Sequence, residues 1–190
     1  MQINSIVEFL SDEALQTLLN QPDTKKRKGF RNQFLMVLMY DTAARCSEIL
    51  NLKVRDLRIN TRHPVAYLLG KGNKPRSVPL LSKTVEHCKR YLQMYHPCKD
   101  DNEYLFYTVI HDTKKPMSID NVEDFMKKYG EKARLICPEV PERVHPHQLR
   151  HTRAIHYYST AIGLFNSVIN LLLLLVANQC SKKLSGQGLW

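Results

Sequence analysis

The sequence predicts a mainly α-helical domain with a small antiparallel β-sheet, an α+β fold. Apolar residues recur at helical spacing in several segments, and two short strand-like segments flank a turn rich in Gly and Asn. The chain has 190 residues, of which 43% are hydrophobic and 24% charged. A chain of this size buries enough surface to fold as one domain without disulfides or a structural metal.

The first helices are predicted from caps and apolar spacing. Ser11 is a candidate N-cap followed by acidic residues and by leucines at helical spacing. A basic, polar connection then covers 21–29. The almost wholly apolar segment 34–40 predicts a helix buried on most sides, and a second short helix is predicted over 43–50.

The small sheet is predicted from residues 64–69 and 75–80, which flank the turn 70–74. Prolines in the second of these strands indicate a sheet edge. Further helices are predicted from Ser82 and from Ser118, since apolar residues recur on one face of each.

A last predicted helix ends near Tyr158 and is preceded by a basic, His-rich stretch, 143–151. Residues 159–190 contain only two charged side chains, Lys182 and Lys183, and differ sharply in composition from the rest. Two interpretations remain open for this tail. It is either a buried terminal helix or sequence that does not belong to the original domain.

The charge of the chain indicates a polyanionic partner. Its 28 Lys and Arg against 18 Asp and Glu give a net charge of +10. Double-stranded DNA is the expected partner, and a basic protein without such a partner is the alternative.

Other features predict a cytoplasmic protein with no membrane partner. Five cysteines form no C-x-x-C pair, which is typical of a reducing compartment. The N-terminus lacks a signal-peptide pattern, and the longest apolar run, Val168 to Ala177, is too short to span a bilayer.

Three stretches carry groups that could cleave a phosphodiester without a metal ion. That chemistry needs fixed cations around the phosphorus, for which Arg is best suited, and a proton donor for the leaving oxygen. Arg45 begins a short helix with Glu48 one turn later; Lys71 lies at a hairpin tip; and His147 and Arg150 share one helical face. Taken singly, Arg45 with Glu48 is most often a surface ion pair, and a lysine at a hairpin tip such as Lys71 is usually solvated.

No metal and no cofactor are predicted. His145, His147 and His151 could suggest a metal-dependent nuclease, but no carboxylate lies nearer in the chain than Glu142 and no H-E-x-x-H pattern occurs.

Taken together and in this order, the three stretches resemble the tyrosine recombinases, or phage-integrase family. Residues 34–52 are similar to the first box of the family, in which an apolar helix leads into a Thr-Gly-x-Arg-x-x-Glu-Leu pattern. Here that pattern reads TAARCSEI over 42–49, with Ala43 where the family usually has Gly. Residues 70–80 (GKGNKPRSVPL) are similar to the hairpin that carries the catalytic lysine, and 147–152 (HQLRHT) match the His-x-Leu-Arg-His-Thr box.

The resemblance implies a role for each residue. Arg45 and Arg150 would clamp the scissile phosphate, Lys71 would protonate the leaving 5′-oxygen, and His147 would hydrogen-bond the phosphate. Glu48 and His151 would be supporting residues. The resemblance also implies a 3′-phosphotyrosyl intermediate, which needs neither ATP nor metal, and a tetrameric synapse that recombines or integrates DNA of a mobile element.

The chain departs from the family after Arg150. The family continues with a Gly-His box and a nucleophilic tyrosine, but no tyrosine follows Tyr158 and no histidine follows His156. The nucleophile is therefore unknown. Residues 1–158 are predicted to be a catalytic domain that lacks the N-terminal DNA-binding domain of the family, and 159–190 an apolar tail, out of frame or replaced. Two hypotheses follow: a recombinase that is impaired, or an inactive DNA-binding remnant.

Overall fold

The computed structural model describes residues 9–70, 72, 74–98 and 100–185, with side chains described up to 179. The described residues divide into two compact units, one ending at Arg153 and the other beginning at Ala154.

Helices and short strands alternate along the first unit, and the last helix continues into the second. The helices are α1 (Asp12–Leu19), α2 (Arg27–Thr42), α3 (Cys46–Leu50), α4 (Ser82–Tyr95), α5 (Ile119–Arg134) and α6 (Pro146–Ser185). The strands are β1 (Leu57–Arg58), β2 (Val65–Leu69), β3 (Pro75–Pro79), β4 (Tyr107–Ile110) and β5 (Thr113–Pro116). The predicted α+β class is confirmed.

The predicted strands form the larger part of an antiparallel sheet with the order β1-β2-β3. Strand β3 lies at an edge, as its prolines indicate, and Arg76 pairs directly with Leu68 of β2. The β4–β5 hairpin was not predicted. Its turn residues, His111 and Asp112, have φ of 48° and 56° and so adopt a left-handed turn without the Asn-Gly or Asp-Gly sequence that usually marks one.

Helix α2 is at the centre of the core of the first unit. Phe34, Leu35 and Leu38 are fully buried, which agrees with a helix buried on most sides. The ring of Phe34 lies 4.9 Å from that of Tyr91 and 5.6 Å from that of Phe106. The hydroxyl of Tyr91 donates to the carbonyl of Leu105 at 2.8 Å, so this buried polar group is satisfied.

Two predicted boundaries near α2 are wrong. The helix begins at Arg27, inside the segment predicted to be a connection. The next helix begins at Cys46 and not at residue 43, because Ala43 has φ of 49° and ψ of 30° and ends α2 in a left-handed conformation. This conformation suits Gly, and the chain turns here without one.

The predicted end of the last helix near Tyr158 is also wrong, because α6 continues to Ser185. Residues 159–177 are all exposed, so the interpretation as a buried terminal helix is wrong as well. The apolar run 168–177, which by itself is too short to span a bilayer, continues a helix whose immediately preceding residues are also uncharged. By length and composition this helix could cross a membrane, since Pro146–Gln179 contain an 18-residue window of mean hydropathy 2.1, none of it buried. Length and composition alone do not show a membrane partner.

Candidate phosphate-binding site

Arg45 lies where the chain leaves the left-handed turn at Ala43 and enters α3. It is the N-cap residue of α3, and its backbone N–H donates to Oε2 of Glu48 at 2.9 Å. Its Nη1 donates to Oε1 of the same carboxylate at 3.1 Å. The guanidinium is therefore held near α3 while the Arg45 side chain remains 47% exposed and open to a ligand.

Glu48 holds a second arginine as well. Arg76 of β3 makes a two-pronged contact with the carboxylate, Nη1 to Oε1 at 3.1 Å and Nη2 to Oε2 at 2.7 Å. Burial alone would raise the pKa of Glu48, but the hydrogen bonds from Arg76 and Arg45 outweigh it and lower the pKa below its ordinary value. Glu48 therefore stays ionised and joins the helix of Arg45 to the edge strand.

Gly70, the residue after β2, lies close to this cluster. A Cβ at position 70 would lie 3.3 Å from Nη1 of Arg76 and 4.0 Å from Oε1 of Glu48. A side chain there would press on the Arg76 guanidinium, which would have to move by a few tenths of an ångström, so the absence of a side chain suits this position. A cavity of about 290 Å³ opens beside it, lined by Arg45, Ser47, Glu48, Leu69 and Gly70.

Lys71, the predicted proton donor, lies outside the described residues. The turn around it is closed by a hydrogen bond from the Gly70 N–H to the Lys74 carbonyl at 3.0 Å. Gly72 in the same turn has φ of 76°.

Arg150 lies in the second turn of α6, and part of its guanidinium is buried. Its Nη1 has no hydrogen-bond partner within the described part of the chain. A buried, unpartnered cationic N–H is costly and is satisfied when an anionic oxygen binds. Neighbouring Leu149 and Thr152 are fully buried and anchor the helix, and the Thr152 hydroxyl accepts from the Leu10 N–H at 2.9 Å.

The two histidines of the same stretch lie on the exposed side of α6. His147 and His151 are both exposed. The start of the helix is fixed by Gln148, whose Oε1 accepts from the His145 N–H at 2.8 Å. Within the described ranges, no group of three His, Cys, Asp or Glu side chains lies close enough to hold a metal ion.

Cys46 follows Arg45 directly in the chain, and Tyr157 and Tyr158 follow Arg150 on the same helix. Burial, reinforced by the charge of Glu123, raises the pKa of Cys46 to about 11, so this thiol beside Arg45 stays protonated at neutral pH. Tyr157 and Tyr158 are 50% and 71% exposed and belong to the second unit.

The sequence pointed to Arg45, Glu48 and the hairpin, and the structure brings these together. It missed Arg76 as a site residue. The available signal was strand alternation: Arg76 is paired with the fully buried Leu68, and directly paired residues point to the same face of a sheet. An arginine on the inward face of a strand needs an acidic partner, here Glu48.

Comparison with solved structures defines the class of fold. The structure matches part of a crystal structure of XerA recombinase with a TM-score of 0.63 and 25% identity, covering 77% of this chain and 49% of that one. It matches the Tn1549 transposon integrase in complex with circular intermediate DNA with a TM-score of 0.63 and 17% identity, covering 81% of this chain and 53% of that one. The fold is that of a tyrosine recombinase catalytic domain.

The family follows from the sequence comparisons. The model of the phage integrase family matches residues 8–165, so the chain belongs to that family and the predicted resemblance is confirmed. Tyrosine recombinase XerC of Staphylococcus carnosus (strain TM300) is 30% identical over 149 residues, 78% of this chain and 47% of its own length. Tyrosine recombinase XerA of Thermococcus onnurineus (strain NA1) is 32% identical over 161 residues, 84% of this chain and 52% of its own. The chain thus spans about half the length of the curated relatives it matches.

Proposed function

We propose that this chain binds double-stranded DNA and that Arg45 and Arg150 clamp one phosphodiester for cleavage and rejoining in site-specific recombination. Lys71 protonates the leaving 5′-oxygen and His147 hydrogen-bonds the phosphate. Glu48 orients Arg45, and His151 is a supporting residue. Residues 1–158 form the catalytic domain, which acts on DNA in the cytoplasm as part of a tetrameric synapse.

The observation that carries this proposal is the pair of available arginines. Arg45 is held by Glu48 yet half exposed, and Arg150 presents a buried Nη1 that no described residue satisfies. Two such forks can neutralise a phosphorane-like transition state without a metal. A XerH site-specific recombinase with this fold is bound to a palindromic difH substrate in a post-cleavage complex, which supports a DNA substrate for this chain.

The test measures how duplex DNA binds to Arg45→Ala, Arg150→Ala and the matched control Arg62→Ala. Arg62 is exposed and lies before β2, whereas the turn of Lys71 lies after it, so the control removes the same charge at the opposite end of the strand. Fluorescence anisotropy with a duplex of about 30 base pairs should show larger losses for the two site variants, of about tenfold each, since a charge-assisted contact contributes about 1.5–3 kcal/mol. Equal losses for all three variants would contradict the clamp.

An inactive DNA-binding remnant is the second candidate, and one observation favours it: no tyrosine follows Tyr158 and no histidine follows His156. The two candidates differ in covalent chemistry. After incubation with DNA and denaturation in SDS, a recombinase leaves protein covalently attached to DNA, and a remnant leaves none. If another subunit supplies the hydroxyl, replacing every tyrosine of this chain leaves cleavage intact.

A further inference from the structure

Asp41 is a buried carboxylate that the recombination chemistry does not use. It lies in the last turn of α2 and is 1% exposed. Its Oδ1 accepts from Nη2 of Arg153 at 3.2 Å, and its Oδ2 accepts from the backbone N–H of Leu81 at 2.9 Å. Both side chains of the ion pair are largely buried, with 12% of Arg153 and 2% of Asp41 exposed.

The contacts of Asp41 join the three elements that carry the site. Asp41 itself precedes Arg45 by four residues, on the far side of the left-handed Ala43. Arg153 follows Arg150 by three residues on α6, one helical turn away. Leu81 comes just after β3, the strand that carries Arg76.

Arg153 is held by α2 through a second contact. Its guanidinium carbon lies 5.1 Å from the centre of the ring of Tyr40, the residue before Asp41. A cation over an aromatic face and in hydrogen-bond contact with a carboxylate has little freedom to move. The first turns of α6 are therefore fastened to the last turn of α2 at the level of Arg150.

A buried ion pair contributes little net stability compared with apolar residues of the same size, since both charges lose their water. A buried ion pair instead fixes the positions of its two side chains, because separating them would leave each buried charge without a partner, which is strongly disfavoured. The ion pair lies four residues before one arginine of the proposed clamp and one helical turn after the other, so it is suited to setting their separation.

We propose that Asp41 is a positioning residue that sets Arg150 relative to Arg45 and Arg76, acting through Arg153 and the Leu81 backbone. This inference rests on the proposed function, because the distance that matters is the one between the two arginines of the clamp. The residue binds no substrate itself.

The test compares Asp41→Asn with Asp56→Asn in the full-length chain. Asp56 also accepts a backbone hydrogen bond, from Lys53 at 2.8 Å, and lies outside the clamp. Both substitutions remove one negative charge, so electrostatics alone would leave phosphate affinity equal or slightly tighter in both. If Asp41 is a positioning residue, Asp41→Asn must instead weaken phosphate binding, and Asp56→Asn must not.

The probe is inorganic phosphate, and the readout is the Nε–Hε NMR signals of Arg45 and Arg150 in ¹⁵N-labelled protein. We expect phosphate to shift both signals in the wild type, and Asp41→Asn to weaken this binding by at least about fivefold, as small displacements of positioned groups have large effects. Asp56→Asn should stay within about twofold of the wild type, as expected for a site outside the clamp. Circular dichroism at the same temperature establishes that both variants are folded.

Three outcomes separate the inference from the function on which it rests. If phosphate shifts Arg45 and Arg150 equally in folded Asp41→Asn and Asp56→Asn, Asp41 is not a positioning residue. If phosphate shifts neither arginine in the wild type, the clamp itself is wrong and the inference fails with it. Should Asp41→Asn not fold, Arg153→Lys takes its place. It keeps the buried charge paired but removes the planar fork, and unchanged phosphate affinity there overturns the inference.

Discussion

The two units of this chain differ in how exposed their apolar side chains are. In the first unit, up to Arg153, large apolar side chains such as Phe34 and Leu149 are fully buried. In the second, every residue from 159 to 177 is exposed, including the leucine run 171–175. Both are helical over these residues, so apolar composition favours burial only where other elements supply a matching surface.

The two units also differ in their charged residues. The last acidic residue of the chain is Glu142, and the ion pairs described here lie in the first unit. The first unit therefore contains both a packed core and a charged site. The second contains neither in its described side chains. Four experiments test this contrast.

The strongest test is a pair of truncations, after residue 145 and after residue 158. The shorter chain loses Leu149, Thr152 and Arg153, which are buried or paired in the first unit, and we expect it not to fold. The chain ending at 158 loses only exposed or undescribed side chains apart from Asn178, and we expect it to unfold cooperatively like the full chain. The expected difference exceeds about 5 kcal/mol, the whole stability of many domains. Thermal melting followed by circular dichroism measures it, and loss of the fold at 158 would contradict the contrast.

A matched pair of leucines makes the same comparison within one helix. Leu149→Ala removes a fully buried side chain and should lower the free energy of unfolding by about 2–5 kcal/mol. Leu173→Ala removes a side chain that is 61% exposed, and the change should stay within about 0.5 kcal/mol. Urea denaturation reports both values. Similar losses at the two positions would mean that residue 173 is buried in solution.

A smaller effect is expected at Glu48. Glu48→Gln removes the charge that holds Arg45 and Arg76 and should lower stability at neutral pH by about 2 kcal/mol, as for hydrogen bonds to a charged group. The folded pKa of Glu48 is lowered, so its contribution is present above its ordinary pKa and is lost as pH falls through the folded value. The difference between wild type and variant should therefore shrink in acid. Urea denaturation at several pH values follows it, and a difference that is constant with pH would argue against an ionised Glu48.

The smallest expected effect is a gain at the turn between α2 and α3. Ala43 is held at φ of 49°, where Gly is not strained, so Ala43→Gly should raise the free energy of unfolding by about 0.5–1 kcal/mol. The matched control is Ala161→Gly, at an exposed helical position in the second unit, where Gly should destabilise the helix slightly. Urea denaturation measures both changes. A loss of stability at position 43 would mean that the turn relaxes in solution.

Local signals in the sequence were enough for most helices and for the main hairpin. Ser11 caps α1 with its side chain as predicted, and Ser118, near which a helix was predicted to start, caps α5; a cap depends only on residues a turn apart. The start of α3 and the β4–β5 hairpin were predicted wrongly or missed because the backbone there adopts conformations that local preference disfavours. Ala43 occupies a left-handed conformation despite its Cβ, and His111 with Asp112 forms a hairpin turn without a glycine.

The contacts of the candidate site are likewise of two kinds, those that local spacing predicts and those that depend on tertiary packing. Arg45 and Glu48 are one turn apart, and their contact follows from helix geometry alone. Arg76 reaches Glu48 from 28 residues away, and Arg153 reaches Asp41 from 112 residues away. No periodicity links such pairs, because their meeting depends on how the elements pack.

By itself, the sequence determined the α+β class, the order of the three motifs and that residues 159–190 contain no tyrosine, since these depend on local spacing and composition. Only the tertiary structure decided which charges meet at Glu48 and Asp41, that the buried Nη1 of Arg150 has no partner among the described residues, and that the apolar residues from 159 to 177 are exposed. Burial and pairing are properties of surfaces brought together from distant parts of the chain, and a linear pattern does not specify its partner.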